Sequence, residues 1–383
     1  MSNVPAVKVL VVLGPLAQEQ LGVFRACARI GAEIRIIGCL SGPRSYKWWS
    51  DPAGNDPLAE ALPPIRLGHD YHGWLYRGLA PRVSRFVPDV IHVESEPWGL
   101  LVEQALWSGR PVVAHGAENQ SYRHGSRGKA VLRRVLAKRH LHRLAGFASW
   151  NQAGIGLALQ HGLPSGVPLL VAPAAVSDPD PFLKAGYGRA SLKFHVVDGQ
   201  VRSIGFVGRL TPPKGLRYLI DAVALLRRDD VELVVAGVGP AKEELEVHAR
   251  SAGIRARFLG LVPLSQVHTI MASVDVMAVP SVTTPEWAEQ FGRVVVESMF
   301  AGTPLIVSDS GSLPEVAGGA AIVVPERDAA ALADAIDGIL QSPESSRELA
   351  ESARNYALRR FHPDRIAEQL VGFWSQVSLR APS

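Results

Sequence analysis

A short, nearly unbroken apolar run, Val7 to Leu13, opens the regular part of the chain and stops at Gly14-Pro15. Such a run reads as a strand buried on both faces. Helical period follows from Ala17 to Gly31, then a second strand from Ile34 to Ile37. Asp89 to Val93 and Pro111 to Ala114 predict further strands, with a helix near Trp98 to Ser108 between them. Phe147 to Trp150 and Leu169 to Val171 are fainter strand patterns. A second series begins at Ser203 to Val207. It alternates helix 216–227, strand 231–236, helix 242–252, strand 256–259, helix 264–272 and strand 274–279. Helix 293–301, strands 304–308 and 321–324 and helix 329–340 complete it. Alternation at this pitch predicts parallel sheets covered by helices, with functional loops at the carboxyl ends of the strands. Between the two series, Pro173 to Asp198 holds three prolines and two glycines without a clean period and reads as a linker. The expected domains are residues 1–180 and 181–362, followed by an amphipathic helix from Pro363 within 363–383.

Composition narrows the class. With 383 residues, 47% hydrophobic and 20% charged, the chain is globular and long enough for two cores. No window of eighteen apolar residues offers a membrane span, and the first residues lack a signal peptide's basic and apolar regions. Cys27 and Cys39 fit a reducing cytoplasm and make no metal framework. The net charge of +4 is uneven. Residues 1–182 carry 19 Lys and Arg against 13 Asp and Glu, whereas residues 183–383 carry 21 against 23. No acid occurs from Asn119 to Ser177, while eight Lys or Arg fall from Arg123 to Arg143. Something anionic is therefore expected near the first half. Anionic lipid headgroups, a phosphorylated acceptor and a plain solvated helix all fit this stretch. Nucleic acid is not expected, because no aromatic platform interleaves with the charges.

Candidate chemistry lies in the second half. In Gly205 to Gly215 a strand ends in glycine and a loop presents Arg209 and Lys214 before a helix. Two cations at a strand's carboxyl end suit a diphosphate, although a solvated basic loop would have the same residues. In Glu289-Gln290-Phe291-Gly292-Arg293-Val294-Val295-Val296-Glu297 two carboxylates flank a helix start. Carboxylates accept paired hydrogen bonds from vicinal hydroxyls, and free N–H groups near Gly292 favour phosphate. Glu297 could be an ordinary polar-face residue, but its helix is apolar nearly all round, and a buried Glu needs partners. Ala236-Gly237-Val238-Gly239-Pro240 fails as a dinucleotide fingerprint, since Lys242 stands where a third glycine belongs.

The order G-R-L-x-x-x-K-G, A-G-x-G-P, F-L-G-x-V, D-V-x-x-x-P-S, E-x-F-G-x-x-x-x-E and A-G-T-P-L-I-V-S-D, over Ser203 to Val324, resembles the retaining glycosyltransferases of family 4. The resemblance implies an α/β GT-B fold, two Rossmann-like domains facing across a cleft, with a C-terminal helix that crosses back to the first. It implies that Arg209 and Lys214, with Gly208, grip the diphosphate of a nucleotide-sugar donor, a UDP-sugar foremost. Glu289 would contact the transferred sugar. Gln290, Phe291, Gly292 and Arg293 would surround the sugar and distal phosphate, Glu297 would bind the ribose, and Leu261 and Val262 would lie by the base. The sugar, a hexose or similar, would pass with retention to an acceptor hydroxyl. No metal ion or other cofactor is implied. Acceptors in such families include envelope glycans, lipid-linked sugars and metabolites such as aminocyclitols. A nucleotide-sugar epimerase on the same fold is the other enzyme class. The expected location is cytoplasmic, peripheral at the inner face of the membrane.

In the first half, the resemblance implies that His115, at a strand end, faces the cleft near the transferred sugar as a catalytic residue, the alternative being a loop histidine; Gly14, Glu118, Asn119 and Arg123 are the expected acceptor contacts. The aromatic clusters Tyr46 to Trp49 and His69 to Trp74 fit sugar stacking and core packing equally. Asp178-Pro179-Asp180 matches a metal-binding D-x-D but sits in the linker, so metal binding there is not expected.

Overall fold

The computed structural model describes residues 6–16, 18–40, 56–67, 71–121, 127–173, 178–187 and 201–380. The chain divides into two units: unit 1 comprises residues 1–176 and 363–383, and unit 2 comprises 177–362.

Unit 1 begins with β1 (Lys8–Pro15), α1 (Gln18–Arg29), β2 (Glu33–Cys39), β3 (Ala59–Ala61), β4 (Pro64–Arg66), β5 (Trp74–Tyr76) and α2 (Leu79–Phe86). It continues with β6 (Val90–Val93), α3 (Leu100–Leu106), β7 (Val112–Gly116), α4 (Arg127–Leu141), β8 (Gly146–Ser149), α5 (Gln152–Gln160) and β9 (Leu169–Val171). Its parallel sheet runs β3-β2-β1-β6-β7-β8-β9. Val9 to Leu13 are buried on both faces of β1, which is why they read as a continuous apolar run. β2 and β3 extend to one side of β1, and β6 to β9 to the other. The order reverses between β1 and β6, the crevice where open α/β sheets bind ligands.

Unit 2 holds α6 (Pro179–Tyr187), β10 (Arg202–Val207), α7 (Leu216–Leu226), β11 (Val231–Ala236), α8 (Lys242–Ser251), β12 (Ala256–Gly260), α9 (Leu264–Ser273) and β13 (Val276–Val279). Then come α10 (Arg293–Ala301), β14 (Leu305–Ser308), α11 (Leu313–Ala317), β15 (Ile322–Val324), α12 (Ala329–Gln341) and α13 (Pro343–Phe361). Its parallel sheet, β12-β11-β10-β13-β14-β15, reverses between β10 and β13. The last helix, α14 (Pro363–Arg380), belongs to unit 1 and packs along α1. Its buried face is Ile366, Ala367, Leu370, Phe373, Trp374 and Val377, spaced three and four apart.

Part of the supposed linker is helical. Pro179 to Tyr187 form α6, which packs on α10 and α9 and buries Phe182. Proline at a helix's first turn lacks an N–H that would be unpaired anyway, so Pro179 starts the helix instead of breaking it. Asp178 accepts a 3.0 Å hydrogen bond from the Asp180 amide at that start, so the D-x-D pattern here closes a helix terminus.

Candidate functional site

The carboxyl ends of β10 and β13 carry the unit 2 constellation. After β10 the chain turns through Gly208, Arg209 and Leu210 into a 3-10 turn at Pro212–Lys214, ended by Gly215 at φ +69°. A Cβ on Gly215 would lie 1.7 Å from the Pro280 carbonyl, so only glycine lets the β10 and β13 loops meet there. The Ala236-to-Pro240 turn is held equally closely, since a Cβ on Gly237 or Gly239 would strike the backbone of Gly208 or Leu210.

That approach brings together residues 75 apart in sequence. The Lys214 ammonium donates to Glu289 Oε2 at 2.6 Å, and Ser281 Oγ donates to the same oxygen at 2.9 Å. Ser308 Oγ, at the end of β14, holds the Ser281 carbonyl at 2.5 Å. The Lys214 Nζ also lies 4.8 Å from the centre of the Trp287 ring. Glu289 is buried, and its carbonyl accepts the Ser312 amide at 2.8 Å, which anchors it to the α11 start. Gly292 at φ +74° leads into α10, where Glu297 is buried and paired with Arg293 one turn earlier at 3.4 Å. Arg209 is exposed. Phe291 faces inward, its ring 5.7 Å from Phe361. Gln290 is half-buried beside it, Leu261 is exposed just beyond β12, and Val262 is half-buried. Sequence reasoning passed over Ser281 and Trp287; the Pro-Ser of D-V-x-x-x-P-S was the available signal for the first.

Unit 1 differs from expectation at His115. Its ring is wholly buried, with Nδ1 2.9 Å from Glu94 Oε1 and Nε2 2.8 Å from the Ala172 carbonyl. Both nitrogens are occupied by protein atoms, so His115 does not present a nitrogen to a sugar in this structure. It belongs to a buried relay. His92 Nε2 lies 2.8 Å from the same Glu94 oxygen, and Trp374 Nε1 of α14 donates to His92 Nδ1 at 3.0 Å. Glu94, answered by His115 and His92, is held down to about 2 despite burial, while its charge raises the His115 pKa. Burial lowers that of His92.

Among the described residues this trio alone gathers three metal-ligating atoms. Its chemistry does not suit a cation. An indole N–H can only donate, so His92 Nδ1 is the acceptor and its proton sits on Nε2, the atom that would have to bind metal. A metal-ligating histidine instead donates from its other nitrogen.

Of the expected acceptor residues, Gly14 lies at the end of β1 and gives its carbonyl to the Tyr76 hydroxyl at 2.8 Å. Glu118 and Asn119 follow β7. The Glu118 amide and that of Ala117 donate to Glu96 Oε1 at 2.9 and 2.7 Å. Burial, and then the neighbouring Glu118 charge, push the Glu96 carboxyl up to about 7. Arg123 and Tyr46 to Trp49 lie outside the described residues, as do His69 and Asp70. Trp74 is buried in the unit 1 core, which answers its stacking role with packing.

Residues 190–356 match the family described as Glycosyl transferases group 1. A phosphatidyl-myo-inositol mannosyltransferase of Mycobacterium leprae is 34% identical over 46% of this chain and 47% of its own. The chain thus spans about half the length of the first curated relatives it matches. A 2-deoxystreptamine N-acetyl-D-glucosaminyltransferase of Streptomyces fradiae is 27% identical over 76% of this chain and 72% of its own. In fold, the chain is similar to Anabaena Alr3699/HepE in complex with UDP, with a TM-score of 0.71, 20% identity and coverage of 96% and 99%. No described helix is long and apolar enough to cross a membrane.

Proposed function

We infer, from the match of residues 190–356 to the glycosyl transferases group 1 and from the GT-B fold, a retaining glycosyltransferase that uses a nucleoside diphosphate sugar, a UDP-hexose foremost. The observation that carries this reading is the Lys214–Glu289 pair at the reversal point of the unit 2 sheet. A cation for phosphate and a carboxylate for hydroxyls lie within one hydrogen bond of each other. Donor binding exchanges their mutual contact for two new ones: diphosphate oxygens on Lys214 and Arg209, sugar hydroxyls on Glu289. Glu297, fixed by Arg293, takes the ribose.

The acceptor oxygen then bonds to the anomeric carbon on the face from which the diphosphate departs. The carbon–oxygen bond to phosphate breaks, and a phosphate oxygen takes the acceptor proton. Charge growing on the leaving group is met by the two cations, which is electrostatic stabilisation and requires no metal ion. The acceptor is a saccharide or glycolipid hydroxyl held by unit 1's strand-end loops. A second reading, an aminocyclitol acceptor, draws support from Glu96 and Glu118, carboxyls at the ends of β6 and β7 that suit an ammonium.

UDP should raise the melting temperature of the protein. Lys214→Ala should lower turnover by about 10²-fold with the fold intact, and activity should survive EDTA. Unchanged turnover in Lys214→Ala would remove this lysine from the chemistry.

A further inference from the structure

Helix α4 is built the wrong way round for a helix that meets only water. Its inner side is conventional: Ala130, Ala137, His140 and Leu141 are buried, His140 Nδ1 is 2.6 Å from the Pro97 carbonyl, and Arg133 lies 4.2 Å from the centre of the Trp98 ring. Its outer side carries Val131, Leu132 and Val135, which are 50%, 57% and 59% exposed. Helical periodicity continues that outward stripe into Lys138 and Arg139, both exposed. Beside it, Trp107 is 63% exposed, and its indole and Arg139 share one oxygen of Glu103, at 2.9 and 3.2 Å. Aliphatic residues, an indole and cations therefore form one solvent-facing surface on unit 1.

We propose that this surface docks the protein on an anionic lipid bilayer, with Val131, Leu132, Val135 and Trp107 entering the headgroup boundary and Lys129, Lys138 and Arg139 meeting lipid phosphates. Partly immersed helices combine an apolar stripe with basic residues, and an indole sits well at that boundary. Charge selects the occupant. A second copy placed symmetrically would bring two basic surfaces together, since α4 carries no acidic residue to answer Lys129, Lys138 and Arg139. Nucleic acid would satisfy the cations but leave three aliphatic side chains with no role. The surface lies within unit 1 and its assay reads no sugar transfer, so it stands or falls apart from the donor chemistry.

The experiment is co-sedimentation of the full chain with vesicles of phosphatidylcholine alone or mixed with phosphatidylglycerol. Binding is expected only to the mixed vesicles and should weaken with salt. The triple variant Val131→Ser, Leu132→Ser, Val135→Ser should lose it at an unchanged melting temperature. Lys129→Ser and Lys138→Ser should each lower partitioning by about fivefold. Absence of binding to mixed vesicles would overturn the proposal. So would equal binding to phosphatidylcholine, wild-type binding by the triple variant, or self-association without vesicles that the triple variant abolishes.

Discussion

A carboxylate stripped of water must be answered by protein charge, and Glu94 shows how completely that can be arranged. His115 carries the proton that pairs with it, and His92, fixed by the Trp374 indole, donates from its other nitrogen. The pair stabilises the fold where both members are charged. For Glu94, lowered to about 2, that contribution is present above the unfolded carboxyl range and lost as pH falls toward 2. For His115, raised, it is fully present below about 6.5 and lost as pH rises through the higher folded value. Glu94→Gln should therefore cost about 3–5 kcal/mol near pH 6, where it leaves a buried imidazolium unanswered. The deficit relative to the wild type should shrink as pH rises and His115 gives up its proton. Urea unfolding of both proteins across pH reads this directly, and a deficit that grows with pH would contradict the assignment. None of the relay was legible in sequence. His92 stood in a strand pattern and Glu94 and His115 directly after one, but Trp374 lies 282 residues from its partner and only the tertiary fold joins them.

At the scale of elements, the buried strands were easiest to read, because burial on both faces leaves an apolar run with little else in it. β3, β4 and β5, three residues each, carry too little pattern to register, and β3 and β4 are largely exposed. α13 hides its contacts in small residues, Ala350, Ala353 and Ala357, among many charges. The donor loops were recognised through family resemblance and not spacing, since Lys214 and Glu289 become neighbours only when the β10 and β13 loops interlock at Gly215. That junction is testable. Gly215→Ala adds a side-chain carbon in left-handed backbone and against the Pro280 carbonyl, next to the Ser281 that holds Glu289. A loss of about 2 kcal/mol or more in urea unfolding is expected, together with weaker UDP stabilisation. Wild-type stability would show that the loops can part without cost.

The whole molecule is two units, one of them made from both ends of the chain. Trp374 is among the largest fully buried side chains, stacked 6.5 Å from Phe24 of α1. Trp374→Ala should cost unit 1 about 3–5 kcal/mol. Calorimetry should then show an early transition insensitive to UDP and a later one that UDP still shifts. A single transition lowered as a whole would mean that the units unfold together. The split also sets an order of events during synthesis. Unit 2 leaves the ribosome whole, whereas unit 1, already made up to residue 176, waits for α14, which is encoded after unit 2. At ~5–20 residues per second that wait lasts roughly 10–40 s. During it Phe24 and its neighbours lack their cover, so a nascent chain truncated after unit 2 is a natural client for chaperones and proteases, and messages cut short there yield no folded unit 1.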